Sequence, residues 1–220
     1  VRVVRTLEDY RPRSGLSTPF TTCRDAGGEP NGADQRRLVR YLIQEGRGAD
    51  VIFVMGTTGE WNRLDQTRRH RVIRVVVEET RKHEARLVQA GHRPVEAWVG
   101  LTAPTREETL ETLELALDLG AHAGVIAPLA IRDIDDPVRF ITRDVADLLD
   151  ARGHRLPIFL YDNADISAGD VAHLRTKWVK QLSRLDFVRG IKVSAPARTL
   201  GHYTKAARQF RDLGAFGIYV

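Results

Sequence analysis

Short apolar runs alternate along this 220-residue chain with longer segments in which apolar residues recur at helical spacing. The runs predict seven strands: Gly15–Ser17, Val51–Met55, Val95–Leu101, Ala123–Ala127, Leu156–Leu160, Val188–Val193 and Ala215–Val220. Six amphipathic segments separate them, the fifth beginning near Val171 and the sixth ending near Phe210. Strands that alternate with helices of this length predict βαβ units and a parallel sheet.

Capping signals mark several of the predicted helix ends. Thr105 and Glu108 have the spacing of a capping box, and Asp136 precedes a proline at the first helical position. Ser167 and Asp170 are typical of a further helix start. Glycines are expected to end three helices, at Gly120, Gly153 and Gly214.

Seven strands and six helices make up most of a TIM (β/α)8 barrel, which needs an eighth strand. An open doubly wound sheet is the alternative, but no Gly-x-Gly-x-x-Gly follows the first strand. No linker or shift in composition divides the chain. We therefore expect an α/β fold, with residues 1–220 forming a single, incomplete TIM-barrel domain whose C-terminal part, from strand 8 onward, is missing from this sequence.

Composition excludes several classes of protein. The formal charge is +5, yet the arginines are spread along the chain and the longest basic cluster is the broken run at 68–71, so we expect no nucleic-acid partner. No run of eighteen apolar residues predicts a membrane span, and no apolar segment near the start predicts a signal peptide. The single Cys23 suits a reducing compartment, so a cytoplasmic enzyme is expected.

One lysine has a setting that differs from the other four in the sequence. Lys192 lies in an apolar, strand-like stretch and alternates with Gly190 and Val188 on one strand face. If that face is buried, desolvation disfavours the ammonium and leaves a neutral amine that can attack a carbonyl to form a Schiff base. The alternative is a lysine at a strand end whose ammonium reaches solvent.

Other polar and glycine-rich residues follow the predicted strands at their C-terminal ends, where barrel enzymes build their sites. After the second strand, Gly56 and Gly59 flank Thr57 and Thr58, and the glycines would let the main chain approach a ligand closely. The amide and hydroxyl groups of the threonines could then hold a carboxylate. Glu60 is interpreted as a cap of the next helix.

Tyr161 follows the fifth strand. Its phenol could move protons to and from a substrate, oriented by the hydroxyl of Thr57. The alternative is an aromatic side chain that packs on the rim of the barrel.

Taken together, these motifs resemble the dihydrodipicolinate synthase / N-acetylneuraminate lyase family. The resemblance rests on segments in the family's order: Thr18-Pro19-Phe20, Gly56-Thr57-Thr58-Gly59-Glu60 with Leu64 and Arg68 downstream, Tyr161, and Gly190-Ile191-Lys192. It implies a homotetrameric TIM-barrel class I aldolase that binds pyruvate or a related 2-oxo acid as a Schiff base.

The resemblance also implies roles for individual residues. Lys192 would form the Schiff base, Tyr161 would shuttle protons, and Thr57 would hydrogen-bond Tyr161. Thr58 would hold the carboxylate of the 2-oxo acid, between Gly56 and Gly59. We expect no cofactor and no metal site. The expected partners are a 2-oxo acid, an aldehyde and further copies of the chain, as a dimer or tetramer.

Two departures from the family pattern bear on the second substrate. The family usually continues its tyrosine as Tyr-Asn-x-Pro, and the synthases place an arginine a few residues later, where this chain has Ile166. The synthases have Pro-Tyr-Tyr after the fourth strand, where this chain has Pro128-Leu129-Ala130. Both departures argue against lysine biosynthesis and leave the aldehyde open.

Two other functions remain open. In a phosphate-handling barrel, Lys192 would act only through its charge. A non-catalytic relative would bind a small acid or only assemble, because a fold alone does not fix an activity.

Overall fold

The computed structural model describes residues 7, 9–195, 197–207 and 214–220 of the chain. They belong to two compact units. We call the first the N-terminal unit; it contains Arg13–Ala103 and Glu111–Gly124. The C-terminal unit contains Pro104–Leu110, Val125–Val220 and the described residues up to Pro12.

Parallel strands and two long helices build the N-terminal unit. Strand β1 is Ser17–Pro19, β2 is Val51–Val54 and β3 is Glu96–Gly100. β1 pairs with β2 and β2 with β3, both in parallel. Two helices connect these strands: α1, Gly32–Ile43, and α2, Gln66–Gln89. Each is long enough to form the crossover between two parallel strands in a βαβ unit.

The C-terminal unit repeats this arrangement. Its strands β5, Ile158–Asn163, β6, Val188–Ser194, and β7, Gly217–Tyr219, are again paired in parallel. The helical segments before β5 are α4, Pro137–Arg139, a π-helical turn at Phe140–Val145, and α5, Ala146–Ala151. Helix α6, Thr176–Leu182, precedes β6, and helix α7, Ala197–Ala207, follows it.

Helix α3, Arg106–Asp118, and strand β4, Ala123–Ile126, each have residues in both units. The strands follow one another in chain order from β1 to β7. The predicted α/β fold with parallel strands in sequential order is therefore confirmed. The single-domain boundary and the eighth strand stay predictions.

Most of the predicted helix ends are confirmed. The Thr105 hydroxyl accepts a hydrogen bond from the Glu108 amide at 3.2 Å, and the Asp136 carboxylate accepts one from the Val138 amide at 2.8 Å. Gly120 adopts a φ of +66°, the left-handed conformation that ends a helix at little cost to glycine. The helix predicted to end at Gly214, and the Phe210 position, involve 208–213, which lie outside the described residues.

The helix start predicted at Ser167 and Asp170 is wrong. Ser167 to Asp170 form no helix, and α6 begins only at Thr176. The Ser167 hydroxyl donates to the Val171 carbonyl at 2.6 Å instead of accepting from a helix amide. The short side chain thus stabilises a turn, which is the alternative use of serine near the main chain.

All residues of β2, β3 and β4 are buried, and so are the first five residues of β5. Parallel strands covered on both faces are expected to be apolar throughout. Polar residues therefore stand out where strands end, at Asn163 in β5 and at Lys192 and Ser194 in β6. In the described part of the chain, no helix combines the length and the apolar character needed to cross a bilayer.

Candidate functional site

Four polar side chains meet at the C-terminal ends of β5 and β6. In the pairing of these strands, Tyr161 is opposite Lys192 and Asn163 is opposite Ser194. Residues two apart on a strand share a face, so all four side chains lie on the same side of the sheet. We call these residues the four-residue cluster.

Lys192 and Tyr161 are in contact. The Lys192 Nζ lies 4.2 Å from the centroid of the Tyr161 ring, a distance at which an ammonium is attracted by the ring face. The same Nζ donates a hydrogen bond to the Ser194 hydroxyl at 3.3 Å. Lys192 is half-buried, while Tyr161 is only 6% exposed, so the amine is held against an otherwise buried phenol.

The Tyr161 hydroxyl has two neighbours in the cluster. It lies 3.3 Å from the Ser194 hydroxyl and accepts a hydrogen bond from the Asn163 Nδ2 at 3.1 Å. The Asn163 Oδ1 accepts from the Asp165 amide at 3.0 Å, and this bond fixes which end of the side-chain amide faces Tyr161. The donor at Tyr161 is thus determined by the turn that follows β5.

Gly190, two residues before Lys192 in β6, lies in a tightly packed position. A Cβ at this position would lie 2.4 Å from the Phe159 ring and 2.5 Å from the Gly217 carbonyl oxygen. Only glycine fits between β5 and β7 here. A register shift between Ile158 and Phe159 interrupts the regular alternation at this point, so the pattern that linked Lys192 to Val188 is not continuous.

In the N-terminal unit, the main chain turns sharply after β2. Met55 and Glu60, on either side of the turn, both have a φ of +59°, a left-handed conformation that is unusual outside glycine. Within the turn, the Gly59 amide donates to the Gly56 carbonyl and the Glu60 amide to the Thr57 carbonyl, both at 3.0 Å. Strained main chain of this kind is concentrated at functional sites.

The two glycines of the turn have a packing role. A Cβ on Gly56 would lie 2.5 Å from the Phe53 ring, and one on Gly59 would lie 3.1 Å from the Met55 main chain. Thr57 and Thr58 between them are exposed. The predicted close approach of ligand to Gly56 and Gly59 stays a prediction, but their small size is already required by the fold.

The interpretation of Glu60 as a helix cap is wrong. Its side chain caps no amide of the 3₁₀ turn that follows, and helix α2 is capped by Asp65. Glu60 instead forms ion pairs with Arg24 at 2.8 Å and Arg63 at 3.0 Å. The hydrogen bond from Arg24 and the charges of both arginines hold the pKa of Glu60 below its usual range.

Asp162, next to Tyr161 in β5, is fully buried and has different partners. Its carboxylate accepts from the Leu174 amide at 2.8 Å and from the Tyr203 hydroxyl at 3.0 Å, and it lies 3.0 Å from the His173 Nδ1. The Tyr203 hydroxyl also lies 2.6 Å from the Leu174 carbonyl oxygen. Burial and the neighbouring Asp162 carboxylate raise the pKa of Tyr203.

The residues predicted from the sequence thus form two groups. Tyr161 and Lys192 lie together in the C-terminal unit, and Gly56 to Gly59 form one turn in the N-terminal unit. The hydrogen bond between Thr57 and Tyr161 stays a prediction. Asn163 and Ser194 were missed, although each lies two residues beyond a predicted site residue, which is the spacing of a shared strand face.

The two departures from the family pattern lie in short helical turns. Ile166 is half-buried in the turn Ala164–Ile166, and Ala130 is 4% exposed in the turn Pro128–Ala130. The Ala168 amide donates to the Leu129 carbonyl at 2.8 Å, which joins the two loops. Both loops therefore present apolar side chains at these two positions.

Groups of three or more histidine, cysteine, aspartate or glutamate side chains placed to hold a metal ion are absent from the described part of the chain.

The N-terminal half of the chain matches a known protein family. Residues 12–123, just over half of the chain, match the model described as the Dihydrodipicolinate synthetase family. The chain belongs to the dihydrodipicolinate synthetase family. The resemblance found in the sequence is therefore confirmed.

Curated relatives of this family member include synthases and an aldolase. It is 28% identical over 153 residues to the 4-hydroxy-tetrahydrodipicolinate synthase of Prochlorococcus marinus (strain MIT 9211), covering 69% of this chain and 45% of that protein. It is 25% identical over 164 residues to the probable 2-dehydro-3-deoxy-D-pentonate aldolase YjhH of Escherichia coli (strain K12), covering 72% and 47%. The chain thus spans about half the length of these relatives.

A solved structure supports the fold. The family member superposes on YagE, a prophage protein of E. coli K12 that belongs to the dihydrodipicolinic acid synthase family and was crystallised with pyruvate, with a TM-score of 0.70 and 22% identity. The superposition covers 93% of this chain and 62% of YagE. The α/β fold is accordingly that of the family.

Proposed function

We propose that this protein is a Schiff-base-forming lyase or aldolase that acts on pyruvate or a pyruvate-like 2-oxo acid through Lys192. The observation that supports this most is the contact of the Lys192 Nζ with Tyr161 and Ser194. Lys82, Lys177, Lys180 and Lys205 all lie in helices, so Lys192 is the one lysine of the sequence placed on a strand. A lysine beside an acid–base group is the arrangement that carbinolamine and imine formation requires.

In the proposed reaction, the Lys192 amine adds to the keto carbon to give a carbinolamine. Its hydroxyl group then leaves as water with the phenol proton of Tyr161, which gives an iminium and leaves Tyr161 ionised. The positive nitrogen then draws the electrons of a C3–H bond into a C=C bond as the C3 proton leaves. The base that accepts this proton is Tyr161, in its ionised form, and the product is an enamine that can add to an aldehyde. Without an aldehyde, the same steps exchange the C3 protons of pyruvate with solvent.

The carboxylate of the 2-oxo acid is assigned to Thr58 and the turn at Gly56 to Gly59, as the family resemblance implies. Exposed threonine residues between two left-handed residues support this role, because the turn constrains their main-chain amides. Thr57 is assigned to orient the Tyr161 hydroxyl.

The choice of 2-oxo acid is supported by two relatives. YjhH is named as a probable 2-dehydro-3-deoxy-D-pentonate aldolase, and YagE was crystallised in complex with pyruvate. Ile166 offers no charge to a second carboxylate, and Ala130 offers no phenol, so we expect aspartate semialdehyde to be a poor partner.

As in the family it resembles, we further propose a cytoplasmic homo-oligomer, a dimer or a tetramer.

The proposal is tested by trapping the imine. The protein is incubated with pyruvate and borohydride, and its intact mass is measured. Reduction of one imine should add about 72 Da, the mass of pyruvate less water plus two hydrogens. Peptide mapping should place the adduct on Lys192.

Two substitutions serve as a matched pair in this experiment. Lys192→Arg should abolish the adduct, because a guanidinium stays protonated and is not a nucleophile. Lys177→Arg, at an exposed helix position, should leave it unchanged. Absence of an adduct with pyruvate and with several other 2-oxo acids would reject the lyase and favour a non-catalytic relative.

A further inference from the structure

We propose that the Ser194 hydroxyl relays a proton between Lys192 and Tyr161 while the imine forms, and that Asn163 positions Tyr161 for this transfer. The inference rests on the proposed function and adds two residues to its site. Neither Ser194 nor Asn163 belongs to the motifs by which the sequence resembles its family.

Strand register brings these residues together. Ser194 lies two residues beyond Lys192 on β6 and is paired with Asn163, which lies two residues beyond Tyr161 on β5. The Ser194 Oγ is therefore diagonal to Tyr161 and next to Lys192. It lies 3.3 Å from both the Lys192 Nζ and the Tyr161 hydroxyl, so it is the atom that links the amine to the phenol.

The direction of the hydrogen bonds suits a relay. In the hydrogen bond between Lys192 and Ser194, the Lys192 Nζ donates and the Ser194 hydroxyl accepts. Asn163 donates to the Tyr161 oxygen and occupies one of its lone pairs. In the contact between Tyr161 and Ser194 either hydroxyl can be the donor, because a phenol and a serine hydroxyl both accept and donate. A proton can thus enter Ser194 from one side and leave from the other.

The transferred proton can be followed through the step. The Lys192 nitrogen attacks the keto carbon, a C–N bond forms, and the carbonyl electron pair moves onto oxygen to give an ammonium–alkoxide adduct. Ser194 accepts a proton from the nitrogen and passes its own proton to Tyr161, while the phenol proton passes to the alkoxide. The product is a neutral carbinolamine, and both Ser194 and Tyr161 are left unchanged.

Hydrogen bonds of 3.3 Å are long, and catalytic hydrogen bonds are often long in a free enzyme and tighten in its complex with substrate. Ser194 is exposed, so its substitution should not disturb the packing of the unit. These features make the serine a suitable target for substitution.

The test measures how fast the imine forms. Pyruvate is mixed with the protein, samples are quenched with borohydride at successive times, and the adduct is quantified by intact mass. Ser194→Ala should slow adduct formation by about tenfold or more, since proton transfer by a positioned group contributes at least that much. The final amount of adduct should still approach that of the wild type, because Lys192 is retained.

A second readout separates a relay from a structural role. With the relay removed, small buffer acids and bases should take over the transfer, so the rate of Ser194→Ala should rise with buffer concentration while that of the wild type stays nearly constant. Ser194→Thr keeps the hydroxyl and should restore the rate to within about threefold. Ser14→Ala, another exposed serine outside the cluster, is the control and should react as the wild type does.

Asn163 is tested in the same way. Asn163→Asp keeps the oxygen that accepts from the Asp165 amide but loses the donor to Tyr161. It should slow adduct formation while the fold of the turn is preserved, which circular dichroism and thermal unfolding would show. A rate equal to that of the wild type would remove Asn163 from the proposal.

The two proposals fail in different ways. If the wild type forms no adduct, the lyase proposal fails. If the wild type forms the adduct and Ser194→Ala forms it at the same rate, with no dependence on buffer, the relay is wrong while the lyase proposal stands.

Discussion

Tyr161 and Asp162 are neighbours in β5, and they point to opposite faces of the same strand. The Tyr161 ring contacts the Lys192 amine, and the Tyr161 hydroxyl forms hydrogen bonds of 3.1 to 3.3 Å with the Asn163 amide and the Ser194 hydroxyl. Asp162 is fully buried, and the Leu174 amide, the Tyr203 hydroxyl and the His173 Nδ1 lie 2.8 to 3.0 Å from its carboxylate.

This comparison indicates that the polar groups on the two faces of β5 have different roles. On the Asp162 face, short hydrogen bonds join β5 to the loop at His173 and Leu174 and to Tyr203 in α7. A buried carboxylate satisfied in this way stabilises the fold. On the Tyr161 face, the amine and hydroxyl groups are joined by longer bonds and remain able to rearrange around a substrate. We expect the first face to govern stability and the second to govern chemistry.

The largest expected effect is on the Tyr161 face. Lys192→Arg should reduce the exchange of pyruvate C3 protons in deuterated water to the rate of buffer alone, because no imine forms. Its urea midpoint should stay close to that of the wild type, since Lys192 is half-buried and arginine has a side chain of similar length and flexibility. Exchange is measured from the methyl signal of pyruvate in proton NMR. Retained exchange would show that another group carries the reaction.

Asp162→Ala should have the largest effect on stability. It leaves the Leu174 amide and the Tyr203 hydroxyl without their carboxylate, and the loss of buried acceptors should cost about 2–4 kcal/mol in the free energy of unfolding. Asp162→Asn, which keeps one acceptor oxygen, is the matched variant and should cost less. Urea unfolding measures both. A loss of exchange activity in the folded fraction, at unchanged stability, would contradict the division between faces.

Gly190→Ala tests whether packing on the Tyr161 face also contributes to the stability of the fold. The added methyl group would meet the Phe159 ring and the Gly217 carbonyl oxygen, so we expect a loss of about 1–3 kcal/mol. Ala97→Gly, at a buried position in β3, gives a reference for a change of one methyl group in a strand. If Gly190→Ala has the same urea midpoint as the wild type, Gly190 is not tightly packed against Phe159 and Gly217.

A smaller effect follows from the raised pKa of Tyr203. A group whose pKa is higher in the folded state than in the unfolded state stabilises the fold fully below its unfolded pKa, and that contribution is lost as the pH rises above it. The ordinary value is 10.0. The stability difference between the wild type and Tyr203→Phe should therefore be constant between pH 7 and 9 and shrink above pH 10. Urea titrations at several pH values measure it, and a difference that grows above pH 10 would contradict the assigned cause.

Much of the fold could be predicted from the sequence, because its signals are local. Apolar runs mark every strand to within a few residues, and the caps at Thr105 and Asp136 follow from side chains that reach amides two or three residues away. The same local signal misled at Ser167, where the hydroxyl donates to Val171 in a turn. A capping motif cannot show whether a helix follows.

The site was predicted less completely, because its contacts are between distant residues. The predicted fifth strand ended at Leu160 and the sixth at Val193, before Tyr161 and Ser194, since polar residues do not indicate a strand. The structure extends β5 to Asn163 and β6 to Ser194, because each strand gives the other hydrogen-bond partners. The two-residue spacing of Asn163 from Tyr161 and of Ser194 from Lys192 indicates a shared face only once both strands are known to extend this far.

The most direct test compares two substitutions that remove the same atom from the two faces. Tyr161→Phe and Tyr203→Phe each lose one hydroxyl, and both are measured by urea unfolding and by exchange of the pyruvate C3 protons. Tyr161→Phe should lower exchange by about a hundredfold or more with little change in midpoint, as loss of an acid–base group requires. Tyr203→Phe should lower stability by about 1–2 kcal/mol, with exchange per folded molecule within about threefold of the wild type. Equal exchange in Tyr161→Phe and the wild type, or a loss of exchange confined to Tyr203→Phe, would contradict the assignment of the chemistry to the Tyr161 face.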